Sequence, residues 1–287
     1  MIYVTGDIHA NPIGRFSFKT HPELRKLTEH DYMIVLGDCG VPFYNPELDF
    51  HDMWTKPGAE KGEHYQLNWL NNRPWKTLFL RGNHDNIDLI SEMPHTELGH
   101  AYVRQMCYQK KIYENIFYID TPQYMYLQGY KLLFIPGAES HDVDYLFEWD
   151  DPLTKEYIKA INKKFYKTGE ETFYRVNHYS WWQNEGVDLE KTQKLINQIP
   201  KEVDYVLTHA PRAAIHNYWK FPNSSTKGCP APSEQILEDE VAAYIKYKMW
   251  IHGHFHHHIE LPMIYSLGIY HEIYSLQEIE EKKKYYN

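Results

Sequence analysis

One pattern occurs five times in this chain of 287 residues: a short apolar run, followed within a few positions by a polar residue of a metal-binding type. Runs of β-branched, aliphatic and aromatic residues are typical of strands that are buried on both faces. The runs are residues 2–4, 32–36, 77–80, 205–207 and 249–251, and the polar residues after them are Asp7 and His9, Asp38, Asn83 and His84, His209, and His254 and His256. The carboxyl ends of parallel strands lie at one edge of a sheet, so we expect these side chains to converge there.

Segments with a helical pattern separate the apolar runs, at residues 22–30, 63–71, 189–199 and 233–247. Strands that alternate with crossover helices predict a mixed α/β fold with many parallel strands. Residues 115–135 differ, because they are predicted to form consecutive strands with a hairpin turn at Gln128 and Gly129.

Residues 138–186 are predicted to form an insertion or cap above the converging strand ends. Within this segment we expect a helix over residues 151–168, in which Asp151 caps the N-terminus and Pro152 occupies the first turn. Gly169 is expected to end that helix.

The chain is predicted to form one domain over residues 1–287, since it contains no internal repeat and no low-complexity linker. A chain of this length can bury a sizeable apolar core. The charged residues 278–287 are expected to be solvated or frayed.

The net charge of −9 argues against nucleic acid as a partner, because binding to a phosphate backbone needs a basic surface. A site whose positive charge comes from metal ions is still compatible with this balance. The abundance of tyrosine and tryptophan fits either a core and surface that use these residues or an aromatic-lined pocket, and composition favours the first.

The three cysteines are widely spaced and form no Cys-x-x-Cys pair, so neither a zinc ribbon nor a disulfide framework is predicted. A reducing compartment, the cytoplasm, fits this usage. The first residues lack a basic stretch and a long apolar run, and candidate ligands begin at Asp7, so no removable signal peptide is predicted. No apolar run approaches the length of a membrane span.

Several short motifs carry the residue types that bind metals. Asp7 and His9, two positions apart in an extended loop, can reach the same ion, and His254 and His256 offer a second pair of donors. After a turn glycine, Asn83 offers an amide oxygen. Mixed Asp, Asn and His ligands suit Mn, Fe, Zn, Ni or Co better than Ca or Mg. Each motif alone is common by chance, and their joint occurrence at strand ends carries the prediction.

A site with this many ligands is expected to hold two ions bridged by a carboxylate, with a hydroxide between them. Two ions roughly 3.5–4 Å apart can polarise a phosphoryl oxygen and deliver that hydroxide in line with the leaving group.

The order Asp-x-His, Gly-Asp, Gly-Asn-His-Asp, His and Gly-His-x-His over residues 7–256 resembles the calcineurin-like metallophosphoesterase superfamily. The resemblance implies two stacked mixed β-sheets flanked by helices, a four-layer α/β/β/α sandwich, and two divalent ions, with Mn favoured. It also implies ligand roles: Asp7, His9 and His256 for one ion, Asn83, His209 and His254 for the other, and Asp38 as the bridge. His84 would act as general acid or contact the phosphate; the alternative is a structural histidine.

The segment after Asp38 departs from one branch of that superfamily. Protein phosphatases carry an Asp-Arg pair there, whereas this chain reads Gly-Asp-Cys-Gly-Val-Pro-Phe over residues 37–43. This difference disfavours a Ser/Thr-type protein phosphatase, and Asp85 or another acid is expected to orient His84.

Residues 136–142, together with Trp181 and Trp182, resemble a small bacterial and phage-type branch of the superfamily. That resemblance places His141 and the two tryptophans at the border of a substrate pocket, although packing is the favoured interpretation for the tryptophans. Arg212, just after His209, is a further candidate for a phosphate contact.

The sequence therefore predicts a metal-dependent phosphoester hydrolase in which His84 assists the departing alkoxide. The expected substrate is a phosphorylated small molecule, cleaved as a phosphomonoester or a small phosphodiester. A protein phosphatase and a nuclease of the same superfamily remain alternatives. A non-catalytic interaction module on the same fold is disfavoured, since every ligand position holds a competent ligand.

Overall fold

Two β-sheets dominate the computed structural model, which describes residues 1–45, 59–170, 172–218 and 229–284. The first sheet comprises β1 (Ile2–Thr5), β2 (Tyr32–Val35), β3 (Lys76–Leu80), β4 (His95–Leu98), β5 (Ala101–Tyr108), β6 (Lys111–Ile119) and β15 (Ile273–Ser275), in the order β15-β1-β2-β3-β6-β5-β4. The second comprises β7 (Gln123–Leu127), β8 (Tyr130–Ile135), β11 (Glu202–Thr208), β12 (Lys246–His252), β13 (Ile259–Leu261) and β14 (Ser266–Gly268), in the order β13-β14-β12-β11-β8-β7. The central strands are parallel and the edge strands antiparallel, so both sheets are mixed.

Burial on both faces of the sheets explains why the strand sequences are apolar without interruption. Along β1, Ile2 and Val4 pack in the core between the two sheets, whereas Tyr3 packs in the core on the outer face. In β2, Ile34 belongs to the inner core and Met33 to the outer one. Successive side chains of a strand point to opposite faces, so a strand buried on both faces needs apolar residues at every position.

Helices cover the outer faces of the sheets. The helices are α1 (Pro12–Arg15), α2 (Ala59–Asn71), α3 (Ile87–Ser91), α4 (Thr154–Thr168), α5 (Leu189–Gln198), α6 (Ile215–Tyr218), α7 (Pro232–Ile236) and α8 (Leu276–Lys283). Leu67 and Leu70 of α2 pack on the first sheet, and Ile196 of α5 packs on the second. The predicted α/β/β/α sandwich is confirmed. None of the helices in the described ranges combines the length and the apolar character needed to cross a membrane.

Residues 138–186, the inserted segment predicted from the sequence, contain a small sheet of their own. Its strands β9 (Tyr145–Glu148) and β10 (Tyr174–Asn177) pair in parallel and are connected through α4. Ile158 of α4 packs with Val176 and Tyr179 in a small apolar cluster.

Three predicted helices differ from the observed ones. Residues 22–30 contain a short 3₁₀ helix, Pro22–Lys26, which ends because the backbone of Leu27 is extended. The helix predicted over residues 151–168 begins at Thr154, and Asp151 accepts a hydrogen bond from the Leu153 amide instead of capping its first turn.

The same helix ends as predicted at Gly169, whose φ of 69° is left-handed. The helix predicted over residues 233–247 was too long. It consists of α7 and a π-helical turn, Leu237–Ala242, and β12 begins at Lys246 because Lys246 already pairs with Glu202 of β11.

The hairpin predicted at Gln128 and Gly129 is confirmed, with φ values of 49° and 88° between β7 and β8. The C-terminal residues, expected to be solvated or frayed, form α8 as far as Lys283, and Ile279 is buried in the core between the sheets. Residues 285–287 lie outside the described ranges.

Candidate metal centre

Glycines at the strand ends make room for the side chains that converge there. Gly37 precedes Asp38 after β2 and has a φ of 104°, and a Cβ atom at this position would lie 2.0 Å from Nδ1 of His209. At Gly82 after β3, a Cβ atom would lie 2.1 Å from Oδ1 of Asp38. Only a residue without a side chain allows the loops of the two sheets to approach this closely.

Four candidate ligands lie together at the edge of the sandwich. Asp7, His9, Asp38 and His256 each offer a ligand atom, and these atoms lie within 4.8 Å of one another. Nε2 of His256 is 2.8 Å from Nε2 of His9 and 3.1 Å from Oδ2 of Asp7. Such a concentration of acceptor atoms is what a divalent cation requires.

A second group of candidate ligands shares Asp38 with the first. Nε2 of His209 lies 3.0 Å from Oδ1 of Asn83 and 3.3 Å from Oδ1 of Asp38. The imidazole rings of His209 and His254 are 4.9 Å apart, centroid to centroid. All seven predicted ligands are therefore brought to one place.

The hydrogen bonds around His209 fit a metal ligand. Its Nδ1–H donates to the Leu36 carbonyl at 2.7 Å, which orients Nε2 towards two oxygen acceptors. Nδ2 of Asn83 donates to the Ser140 hydroxyl at 3.2 Å, so Oδ1 of Asn83 faces the same point. A histidine that ligates a metal usually donates its other ring N–H in this way. The donor set thus fits a cation at this point.

Four of the predicted ligands have a backbone conformation that non-glycine residues rarely adopt. The φ values are 42° for His9, 50° for Asp38, 69° for His254 and 53° for His256. A left-handed conformation at a side chain other than glycine costs on the order of 1–3 kcal/mol and clusters at functional sites. The strained backbone conformations therefore occur at the same residues whose side chains converge, as is common at functional sites.

Electrostatics of the buried centre favour positive charge. Burial opposes ionisation of Asp38, but His209 and His84 outweigh it and hold the pKa of Asp38 well below its usual range. Burial also opposes a charge on His209, yet Asp38 and Asp7 together raise the pKa of His209 to about 9. A cation bound here would compensate the same two buried carboxylates.

His84 lies beside the cluster rather than in it. Its ring is 5.4 Å from that of His9 in an edge-to-face arrangement, and its backbone N–H donates to Oδ1 of Asp38 at 2.8 Å. Burial lowers the pKa of His84 to about 4; Asp38 opposes this shift and Arg175 adds to it. The imidazole is therefore neutral at neutral pH and offers one ring N–H.

The chain is similar in sequence to a known protein family over most of its length. A family model described as calcineurin-like phosphoesterase matches residues 1–258. The chain belongs to this family. Calcineurin-like phosphoesterases hydrolyse phosphoesters, and the family implies divalent metal ions, for which the Asp and His cluster is the candidate site. No curated protein matches the chain.

Solved structures are similar over most of the chain at low identity. Phosphopantetheinyl hydrolase from Mycobacterium tuberculosis is similar over 98% of this chain and 92% of that chain, with 13% identity and a TM-score of 0.43. A proposed 5′-nucleotidase from Staphylococcus aureus, in complex with alpha-ketoglutarate, is similar over 94% of this chain and 48% of that chain, with 13% identity and a TM-score of 0.41.

Asp85 of this phosphoesterase connects two loops. Its carboxylate accepts hydrogen bonds from the backbone of Gly82 at 2.8 Å and Gly40 at 2.9 Å, and from the Tyr118 hydroxyl at 3.1 Å. These bonds join the loop after β2 to the loop after β3. These hydrogen bonds stabilise the loop that carries His84. That Asp85 or another acid orients the ring of His84 stays a prediction.

The other predicted substrate residues lie in different surroundings. The ring of His141 is 5.2 Å from that of His254, which places it at the border of the cluster. Arg212 instead forms an ion pair with Glu238 and contacts the Tyr247 hydroxyl and the Trp250 ring. Their roles towards a substrate remain predictions.

The two tryptophans of the inserted segment differ in burial. Trp182 is buried, and its Nε1–H donates to Asp88 of α3 at 2.9 Å, which agrees with a packing role. Trp181 is partly exposed and lines a cavity of about 700 Å³ together with Arg81, Asp120 and Glu185.

Arg175 of β10 was not predicted from the sequence to be a site residue. Its guanidinium contacts the ring of His84 and donates to Asp142 at 2.6 Å. The partner His84 is 91 positions away in the sequence, and no motif surrounds Arg175. Its place in the segment predicted to cover the site was the one signal that the sequence offered.

Proposed function

We propose that this phosphoesterase hydrolyses a small phosphorylated substrate with two divalent ions, with manganese the favoured metal. The observation that carries the proposal is the convergence of two ligand groups that share the buried carboxylate of Asp38. Asp7, His9 and His256 would hold one ion, and Asn83, His209 and His254 the other, with Asp38 contacting both. This assignment is supported by the 4.8 Å span of the first group and by the 3.3 Å approach of His209 to Asp38.

Bound divalent ions would supply Lewis-acid polarisation of the phosphoryl oxygens and a water acidic enough to attack phosphorus as hydroxide. His84 would donate a hydrogen bond from its ring N–H to the oxygen of the departing alkoxide, and it would transfer a proton to that oxygen where the bound phosphate has first raised its pKa and protonated the ring. Its pKa is lowered mainly by burial, and a phosphate dianion beside it would raise that pKa again. No side-chain nucleophile is required, so the reaction should invert the configuration at phosphorus and no phosphoenzyme should accumulate. A trapped phosphoenzyme would contradict this mechanism.

The substrate class we propose is a phosphomonoester or a small phosphodiester. The net charge of −9 disfavours a nucleic acid, although the ions would make the site itself positive. A nuclease would show activity on DNA or RNA that falls steeply with salt concentration, and such a dependence would replace this proposal.

We also propose that the protein acts in the cytoplasm. Cys39, Cys107 and Cys229 are free thiols, which suits a reducing compartment. Recovery of the native protein mainly from an oxidising compartment in cell fractionation would contradict this assignment.

The decisive experiment compares p-nitrophenyl phosphate with bis-p-nitrophenyl phosphate as substrates, after chelation and after Mn²⁺ is added back. Turnover should disappear on chelation and return with Mn²⁺, and the preferred ester identifies the substrate class. Asp38→Asn should lower turnover by at least about a thousandfold, because the shared carboxylate is lost.

Asp204→Asn is the matched control, since Asp204 is a mostly buried aspartate near the start of β11 that pairs with Lys248. It should keep nearly all of the activity. Equal loss in both variants, or no turnover with any divalent metal on either ester, would count against the proposed function.

A further inference from the structure

The guanidinium of Arg175 contacts the imidazole of His84 with both of its Nη atoms. Nη1 of Arg175 is 3.3 Å from Nδ1 of His84, and Nη2 is 3.2 Å from Nε2. The two ring nitrogens of an imidazole point in different directions within the ring plane, so one planar group cannot donate to both in that plane. At most one of the two contacts is therefore an in-plane hydrogen bond, and the other joins the guanidinium to the ring outside that plane.

Asp142 fixes the guanidinium from one side only. Both carboxylate oxygens of Asp142 contact Nη2 of Arg175. Within the described residues, Nε of Arg175 is buried and has no hydrogen-bond partner, and the side chain as a whole is only 11% exposed. A buried donor without a partner destabilises the folded protein, and more so when it is charged. The ion pair with Asp142 therefore does not by itself account for the unsatisfied Nε of Arg175.

We propose that Arg175 binds the phosphate of the substrate, so that the inserted segment completes the catalytic site. This inference rests on the proposed phosphoester hydrolysis and adds a substrate-binding residue to it. Arginine matches the oxygens of a phosphate with its planar set of donors, and buried donors beside His84 are where such oxygens would arrive. Asp142 acts as a positioning residue, because it holds the guanidinium in this orientation.

The charge of Arg175 also bears on substrate choice. A terminal phosphate carries two negative charges and three unsubstituted oxygens, whereas a diester carries one charge and two such oxygens. An additional fixed cation therefore favours the monoester. Loss of Arg175 should reduce activity on p-nitrophenyl phosphate more than on bis-p-nitrophenyl phosphate.

The test measures the binding of inorganic phosphate to the Mn²⁺-loaded protein by calorimetry. Arg175→Gln should weaken binding roughly ten- to a hundredfold, as expected for the loss of a charged hydrogen bond. Arg175→Lys keeps the charge but not the planar donors and should recover part of the affinity. Asp142→Asn should weaken binding less than Arg175→Gln does.

Arg104→Gln is the matched control, since Arg104 is also a mostly buried arginine paired with an aspartate, Asp120 at 2.9 Å. It should bind phosphate within about twofold of the wild type, and all variants should keep their metal content and a cooperative melting transition. The inference is overturned if Arg175→Gln binds phosphate as tightly as Arg104→Gln, or if the metal-loaded wild type binds no phosphate.

The same variants separate this inference from the proposed function. Wild-type protein that binds phosphate through Arg175 but hydrolyses neither ester would contradict the function and support the binding residue. Wild-type protein that hydrolyses an ester, with KM and phosphate affinity unchanged in Arg175→Gln, would support the function and contradict the binding residue.

Discussion

The two-sheet sandwich and the inserted segment contribute to the same site with very different amounts of buried structure. Val4, Leu36 and Leu80, from strands that lead to the ligands, are fully buried in the core between the sheets. In the inserted segment, by contrast, Tyr145 is 55% exposed and Tyr166 is 76% exposed. The sandwich thus holds the proposed metal ligands on a well-packed base, and the segment brings Arg175 to that base with a small apolar core.

Several of the contacts that attach the inserted segment to the sandwich are polar. Oδ2 of Asp88 in α3 accepts hydrogen bonds from His178 at 3.0 Å and from Trp182 at 2.9 Å. The ring of Phe43 packs edge-to-face on Tyr179 at 5.8 Å between centroids. Regions with few apolar contacts open with less free energy than the core, so we expect substrate binding to depend on this attachment and metal binding to be independent of it.

The largest expected effect tests the division at the residue where the two regions meet. His84→Ala should lower kcat by about a hundred- to ten-thousandfold, because His84 assists the leaving group, and it should leave the metal content unchanged. The exposed His95 on the edge strand β4 provides the control variant His95→Ala, which should keep its kcat. Loss of metal in His84→Ala would place His84 among the ligands and blur the division.

The next test compares the two apolar cores. Leu207→Ala in the core between the sheets should lower the free energy of unfolding by about 2–5 kcal/mol. Ile158→Ala in the inserted segment should lower it by less than about 1 kcal/mol, because the segment can open locally without global unfolding. Chemical denaturation measures the first loss, and amide exchange in β9 and β10 reports the second. Equal losses would show that both regions unfold as one unit.

A pH-dependent effect is expected where the inserted segment returns to the sandwich. Burial raises the pKa of Glu185 from 4.5 to about 7, although the Ser140 amide donates to its carboxylate and opposes the shift. The folded protein therefore holds this proton more tightly than the unfolded chain. The contribution of Glu185 to the free energy of unfolding should be fully present below pH 4.5 and should be lost as the pH rises through about 7.

Glu185→Gln should remove that dependence. At pH 8 the variant should be more stable than the wild type by up to about 3 kcal/mol, and below pH 4.5 the two should agree. Thermal melts across this range measure the difference, with the exposed Glu190→Gln as control. Parallel curves for the variant and the wild type would mean that Glu185 is not titrating in this range.

The smallest expected effect concerns the attachment itself. Asp88→Ala removes the acceptor of both His178 and Trp182, so proteolysis within residues 138–186 should become severalfold faster. The ratio kcat/KM should fall by about tenfold, an effect of about 1.4 kcal/mol on the barrier, while the metal content stays constant. A drop in metal content instead would show that the segment also supports the ligands.

The sandwich was readable from the sequence because its signals are local. Apolar runs such as residues 32–36 predict strands buried on both faces, and Gly37 and Asp38 directly after them mark the ligand-bearing strand ends. The helix predicted over residues 233–247 was too long because Lys246 and Tyr247 fit a helix as well as a strand. Only the parallel pairing with β11 decides between the two.

The inserted segment was predicted from its polar and aromatic composition and was expected to lie over the site, but the contribution of Arg175 was not predicted. The position of Arg175 beside His84 depends on how β10 lies above the sandwich, which is a tertiary arrangement without a local signal. The partner Asp142 is likewise 33 positions from Arg175.

The most direct test of the central claim is the number of metal ions that the protein binds. Mn²⁺-loaded protein should contain two ions per chain by elemental analysis, and anomalous diffraction at the manganese edge should show two peaks beside Asp38. The variant His209→Ala should keep one ion, since it removes a ligand of only one of the two proposed positions. A single peak in the wild type, or none, would contradict a two-metal site built on these strand ends.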